Sequence, residues 1–173
     1  MMKRFLISVV FAVVCAGFAF AQGRTFSDTN VEYTFDLPEA AWKMVVKPSV
    51  SNPNVEYAYG DRLDGHLEIR KMPIKDGELI SDLIQREKEQ RLQFVPGYVA
   101  GTEENFAGAL RGRVFNYEYV KFGKPMSGRL YFLRANDNTV YVIRFTGLKD
   151  KLRVIRNQTD SIARTFDLKK SNA

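Results

Sequence analysis

The stretch RGRVFNYEYVKFGKPMSGRLYFLRANDNTVYVIRF, residues 111–145, decides the fold. Apolar and polar residues alternate along it over three runs separated by Phe-Gly-Lys-Pro and Asn-Asp-Asn, the signature of antiparallel strands joined by short turns. With Gly123-Lys124 as the tip of one turn, Phe115 faces Phe132, Tyr117 faces Leu130 and Glu118 faces Arg129, giving an apolar face and an opposite-charge pair. With Asp137-Asn138 as the next tip, Leu130 faces Phe145 and Phe132 faces Ile143. Both turns put Leu130 and Phe132 on one buried face. The other face holds Val114, Tyr131, Leu133 and Val142, too apolar to be left wet, so helices or N-terminal strands are expected to cover part of it. The resulting expectation is an α+β fold, an antiparallel β-sheet meander flanked by helices in a layered α/β/α-type sandwich.

Working outward, four strand-like segments fill residues 98–147 and a helix lies on either side of them. Asp76 is the candidate N-cap of the first, in which Leu79, Ile80, Leu83 and Ile84 recur at helical spacing before Pro96-Gly97. Glu87 and Arg91, four apart in the favourable order for an ion pair, predict that its second half is only partly covered by the sheet. In the second helix Leu148, Leu152, Ile155, Thr159, Ile162, Ala163 and Phe166 fall on one face, with Arg153, Arg156, Asn157 and Asp160 elsewhere. Upstream, Val31, Tyr33 and Phe35 alternate with polar residues, Trp42 to Val46 is a second short run, and Val55–Tyr59 with Leu67–Ile69 reads as a hairpin across Asp61–Gly65.

The first 21 residues combine Lys3 and Arg4, an apolar run from Phe5 to Ala21 and the small-residue pattern Ala19-Phe20-Ala21, which reads as a secretory signal peptide cut before Gln22. Cys15 follows Val14 rather than the small residue a lipid-attachment site needs, and it would leave with the signal. The expected organisation is therefore a signal at 1–21, a loose leader at 22–30, one globular domain at 31–168 and a polar tail at 169–173, with the processed protein in the periplasm or the medium. Removal of Lys3 and Arg4 takes the formal charge from +6 to +4, with both signs interspersed. That balance argues against nucleic acid as a partner, and a cysteine-free mature chain excludes thiol nucleophiles and thiolate metal sites.

The order of short strands, helix, meander and closing helix resembles the PsbP/Mog1-like fold family, including its small secreted bacterial members. The resemblance is carried by Tyr33-Thr-Phe-Asp-Leu-Pro38 followed by Trp42, by Gly128-Arg-Leu-Tyr-Phe132 and Val140-Tyr-Val-Ile-Arg-Phe145, and by Ile162-Ala-Arg-Thr-Phe166. It implies a largely non-enzymatic role in protein or ligand binding, as with accessory subunits of photosystem II, partners of a small GTPase, and bacterial envelope proteins. No family functional residue maps onto this chain.

Candidate chemistry is weak throughout. His66, the only histidine, alternates with Glu68 and Arg70 on the polar side of its strand and reads as a solvated residue; no Gly-x-Ser-x-Gly elbow accompanies it. Asp61, Asp64, His66 and Glu68 fit hairpin-turn chemistry better than a metal site. Gly123-Lys124-Pro125 lacks the spacing of a phosphate loop. Neither a catalytic residue, a metal nor a cofactor is assigned. The one binding site expected comes from the register: Arg113 opposite Arg134, with Arg111 facing Glu104 and Tyr141 facing Arg134, would form an anion or carboxylate site. The functional expectation is an exported, non-catalytic binding or accessory protein of the cell envelope with an envelope or secreted protein as partner and no stable membrane span after cleavage. The alternatives are a small-molecule or lipid carrier, with a pocket lined by some of Tyr98, Phe115, Tyr117, Leu130, Phe132 and Phe145, and, last, a hydrolase using carboxylates such as Glu103 and Glu104 or Asp61 and Asp64.

Overall fold

A computed structural model describes residues 23–170 of the chain; the signal-peptide expectation lies outside them. The chain is α+β. Ten strands, β1 (Arg24–Ser27), β2 (Tyr33–Leu37), β3 (Trp42–Val46), β4 (Val55–Tyr59), β5 (His66–Pro73), β6 (Val99–Ala107), β7 (Arg111–Lys121), β8 (Lys124–Asn136), β9 (Thr139–Leu148) and β10 (Asp167–Leu168), accompany helices α1 (Ile80–Gln90), α2 (Lys149–Val154) and α3 (Arg156–Thr165). A single 3₁₀ turn, Leu92–Phe94, follows α1. Seven strands make one antiparallel sheet in the order β3-β4-β5-β9-β8-β7-β6, and β1, β2 and β10 make a second. The consecutive meander β6-β7-β8-β9 is the one its alternating pattern predicts, and the β4–β5 hairpin docks on β9 to complete the sheet.

Each face of the large sheet carries its own core. On one, Leu83, Ile84 and Leu92 of the α1 region pack on Phe115, Tyr117, Leu130, Phe132, Val140 and Val142. On the other, β1, β2, α2 and α3 bring Phe26, Phe35, Leu152, Ile162 and Phe166 against Tyr131, Leu133, Ile143 and Phe145. Trp42 joins this second core and donates its indole N–H to Gln158 Oε1 at 2.9 Å, tying β3 to α3.

The register departs from expectation at all three turns of the meander. The β7–β8 turn is Phe122-Gly123, with Lys121 opposite Lys124, so Phe115 faces Leu130 and Tyr117 faces Gly128. A tip at Gly123-Lys124 was the natural expectation because phenylalanine avoids the left-handed backbone region that this turn requires. The two-residue shift keeps Phe115 and Tyr117 on the face of Leu130 and Phe132. At the β8–β9 turn the tip is as expected, with Asn136 opposite Thr139, but a bulge between Arg134 and Asn136 slips the ladder by one residue. One residue of slip exchanges the faces. Leu130 therefore faces Arg144 and Phe132 faces Val142, whereas Ile143 and Phe145 belong with Tyr131. At the β6–β7 turn Ala107 faces Arg111 and Asn105 faces Arg113, so Arg111 does not face Glu104 as expected, because the loop is the three residues 108–110.

Three local expectations are also corrected. Residues 24–27, expected in a loose leader, form β1 on the edge of β2 and bury Phe26. The N-cap of α1 is Leu79, whose amide donates to the Asp82 carboxylate at 3.0 Å, while Asp76-Gly77 forms the turn before it with Gly77 at φ 73°. The closing helix is two helices, broken at Ile155, although the stripe from Leu152 to Phe166 stays buried as its spacing predicts.

Tyr117 lies flat over Gly128, where a Cβ would come within 2.1 Å of its ring. Gly128→Ala is expected to displace that ring and cost about 1–3 kcal/mol by overpacking, read as a fall in urea midpoint at unchanged m-value; an unchanged midpoint would contradict this packing.

Candidate functional site

The four residues expected to form an anion site are not gathered into one. Arg113 sits opposite Phe132 and is ion-paired with Glu103 at 2.7 Å. Arg134 lies on the same face, opposite Val140, and donates to the Glu78 carbonyl at 2.7 Å. Arg111 is exposed at the start of β7. Tyr141 projects from the opposite face, is buried, and donates its hydroxyl to Glu32 Oε1 at 2.5 Å. Lys71 also binds Glu32, and these two hydrogen bonds, with Lys71 the stronger influence, hold the Glu32 carboxyl below its usual range. Glu104, expected to face Arg111, faces Val114 instead.

Most of the residues expected to line a carrier pocket are instead packed into the core, while Tyr117 borders a cleft. Phe115, Leu130 and Phe132 are at most 1% exposed and are filled in by Leu83 and Ile84, and Phe145 lies on the other side of the sheet.

A different group of charges converges where α1 ends. Because β5 alternates, His66, Glu68 and Arg70 point toward α1, and Arg144 of β9 stands directly across from Glu68 and is ion-paired with it. His66 is not solvated as expected: its ring is half-buried and its Nε2 lies 2.8 Å from Glu56 Oε2, which Arg62 also holds at 3.1 Å. Glu87 of α1 is 4% exposed and ion-paired with Arg70 at 2.7 Å and Arg91 at 3.4 Å. The expected Glu87–Arg91 pair thus forms, but Arg70 draws Glu87 into the sheet, so this half of the helix is covered more completely than its polar letters suggest.

Beside these pairs opens a cleft of about 430 Å³ whose walls include His66, Arg91, Tyr119, Lys121, Arg144 and Thr146. Tyr117 and Tyr119 stack at 5.6 Å between ring centres along one wall. Burial pushes the hydroxyl pKa of both upward, opposed in Tyr117 by nearby Arg144 and in Tyr119 first by a hydrogen bond with Thr146 and then by Arg144. Three cations, Arg91, Lys121 and Arg144, line the cleft and no carboxylate does; Arg91 and Arg144 are paired with Glu87 and Glu68, which are not among its lining residues. The charge of the lining is positive, and guanidinium and ammonium groups line the open space. Chemically this suits a carboxylate presented on an aromatic or aliphatic stem. A second cleft, of about 290 Å³, opens between β7, β8 and α2; it holds Arg129, Lys149, Arg153 and Arg156, but the carboxylates Glu118 and Asp150 share its lining, and Arg129, Lys149 and Arg153 are paired with Asp160, Glu118 and Asp150 at 2.7, 2.8 and 3.4 Å. Among the described residues no cluster of His, Cys, Asp and Glu is arranged to hold a metal ion.

Charged letters on β5 were visible in the sequence, but their alternation alone assigns them to solvent. The signal that would have found the cleft is Arg144, a cation inside the apolar run Val140–Phe145, which demands a buried partner.

These features, a seven-stranded antiparallel sheet with α1 on one face and α3 with a small sheet on the other, define a PsbP/Mog1-like fold. The chain is similar to the Ran-binding protein Mog1p of Saccharomyces cerevisiae, with 10% identity, a TM-score of 0.62, and 86% of this chain covering 96% of that one. It is similar to the cyanobacterial PsbP of Synechocystis, with 17% identity, a TM-score of 0.58 and coverages of 90% and 97%. It is also similar to LpqN of Mycobacterium tuberculosis, described as involved in cell envelope biogenesis, with 15% identity, a TM-score of 0.54 and coverages of 86% and 91%. No protein-family model and no curated sequence matches the chain.

Proposed function

We propose that this chain is an exported accessory protein of the cell envelope that acts by binding a partner protein rather than by catalysis. The observation that carries the reading is the cleft at the end of α1, where surplus positive charge and two stacked tyrosines meet an opening at the surface. A layered α/β/α-type arrangement supports it, because both broad sheet faces are occupied by the protein's own core and binding is left to the ends and edges of the sheet. The partner offers a carboxylate, from an acidic side chain or a chain terminus, to Arg91, Lys121 and Arg144. Likeness in fold to a Ran-binding protein and to a protein of envelope biogenesis favours binding over chemistry.

Export follows from the signal-like N-terminus, with the processed protein in the periplasm or the medium. No helix of the described residues is long and apolar enough to cross a membrane. Intact mass of the protein purified from its native cell is expected to place the N-terminus at Gln22. Recovery of the full-length chain from membranes would contradict export.

A further inference from the structure

We propose that the corner of the molecule carrying Phe94 and Phe122 docks on a membrane surface rich in anionic lipid headgroups; the proposal rests on the exported reading for its setting and adds a second contact that adjoins the cleft and shares Lys121 and Val120 with its wall. Phe122 is the residue that points there. It occupies the first position of the two-residue β7–β8 turn at φ 52°, followed by Gly123 at φ 69°, and it is 83% exposed. A turn with both central residues in the left-handed region selects Asn-Gly, and a bulky side chain there is strained. Strain at an exposed tip with nothing of the protein's own packed over it points to a function of the ring outside the fold.

The surroundings fit a bilayer. Phe94, 73% exposed, sits on the 3₁₀ turn, and that segment is fastened to the hairpin by the Val120 amide donating to Pro96 O at 2.7 Å. Val99 and Val120 add apolar surface, at 59% and 40% exposure. Lys121 and Lys124 flank the tip, and neither has a carboxylate within ion-pair distance among the described residues. Lys121 Nζ lies 5.5 Å from the centre of the Phe122 ring, so the cation and the ring travel together. A protruding aromatic tip collared by lysines matches the boundary between headgroups and acyl chains, where rings enter and ammonium groups stay with phosphates. A protein partner for the same tip would need a preformed hollow; a fluid surface needs none.

The test is vesicle flotation of the purified chain beginning at Gln22, with phosphatidylglycerol-containing or pure phosphatidylcholine vesicles, at about 50 and about 500 mM salt. Binding is expected to the first vesicles only, and to fall away at the higher salt. Phe122→Asn is expected to weaken binding about tenfold or more while raising Tm by a few degrees, because it relieves the turn. Lys124→Ser, which leaves the cleft's Lys121 in place, is expected to reduce the preference for phosphatidylglycerol with Tm unchanged. Wild-type protein that ignores these vesicles, or a Phe122→Asn variant that floats as well as wild type or loses stability, would overturn the proposal. A chain that binds vesicles but is recovered unprocessed from cells would overturn export and leave this surface standing.

Discussion

Replacing Arg129 by alanine is expected to cost about 3 kcal/mol of stability or more. Arg129 rises from β8 into the core beneath α3, with its side chain 8% exposed. Its Nε donates to the Tyr131 hydroxyl at 2.6 Å, Nη1 to Asn116 Oδ1 at 2.7 Å and Nη2 to Asp160 Oδ1 at 2.7 Å. Tyr131 in turn donates to Asp160 at 2.5 Å, and Asn116 donates to Thr102 at 2.9 Å. Alanine would leave the Asp160 carboxylate without its cation and the Asn116 amide oxygen without its donor, while Tyr131 keeps Asp160 and Thr159 as partners, and unpaired buried polar groups cost more than paired ones contribute. Asp160 keeps 24% of its side-chain exposure and can partly rehydrate, which sets the loss at the low end of the range for broken buried pairs. Arg129→Met with Asp160→Leu removes both charges and is expected to recover most of the loss. Urea unfolding of the two variants decides the matter; an alanine variant within about 1 kcal/mol of wild type would show that the network is ornamental.

Above about pH 10 the fold is expected to collapse steeply. Seven of the eight tyrosines have hydroxyl pKa values pushed above the ordinary value, burial being the leading cause in each, with Tyr57 reaching about 12 and Tyr33, Tyr117, Tyr131 and Tyr141 going higher. A raised pKa in the folded chain means that folding favours the neutral phenol. The contribution is complete below the unfolded value and is lost as pH climbs from there through the folded value. Each such group steepens the decline by at most about 1.4 kcal/mol per pH unit. Five together would erase the roughly 5–15 kcal/mol of an ordinary domain within about two units. The urea midpoint is therefore expected to hold through neutral and mildly alkaline pH, and tyrosinate absorbance to appear together with unfolding. Tyrosinate absorbance rising near pH 10 while the protein stays folded would contradict the burial of these rings.

Much of this architecture is legible in the sequence because strand alternation and helical stripes report burial directly. The meander, α1 and the stripe from Leu152 to Phe166 follow from that alone. Register does not, because it depends on turn residues that break local rules. Phe122 takes a position suited to asparagine, and the bulge before Asn136 transfers Ile143 and Phe145 to the other face without any change in composition. Together the two shifts dissolve the expected arginine cluster: the β7–β8 turn offsets Arg113 and Arg134 by two residues, and the slip before Asn136 turns Tyr141 away from Arg134 to Glu32. The cleft escaped notice for a different reason. His66, Glu68 and Arg70 look solvated until Glu87, from a helix distant in sequence, and Arg144, from another strand, pair with their side of the sheet. No local pattern encodes such a meeting of separate elements.

The central claim is that the cleft binds a partner's carboxylate, and a photo-crosslinking amino acid in place of Tyr119 tests it most directly. In native envelopes it is expected to give one discrete protein adduct. That adduct should fade about tenfold when Arg91 is also replaced by serine, since a charge-assisted contact of this kind contributes about 1.5–3 kcal/mol, and should persist when Phe122 is replaced by asparagine. A smear of unrelated adducts, or a single adduct indifferent to Arg91, would contradict the account.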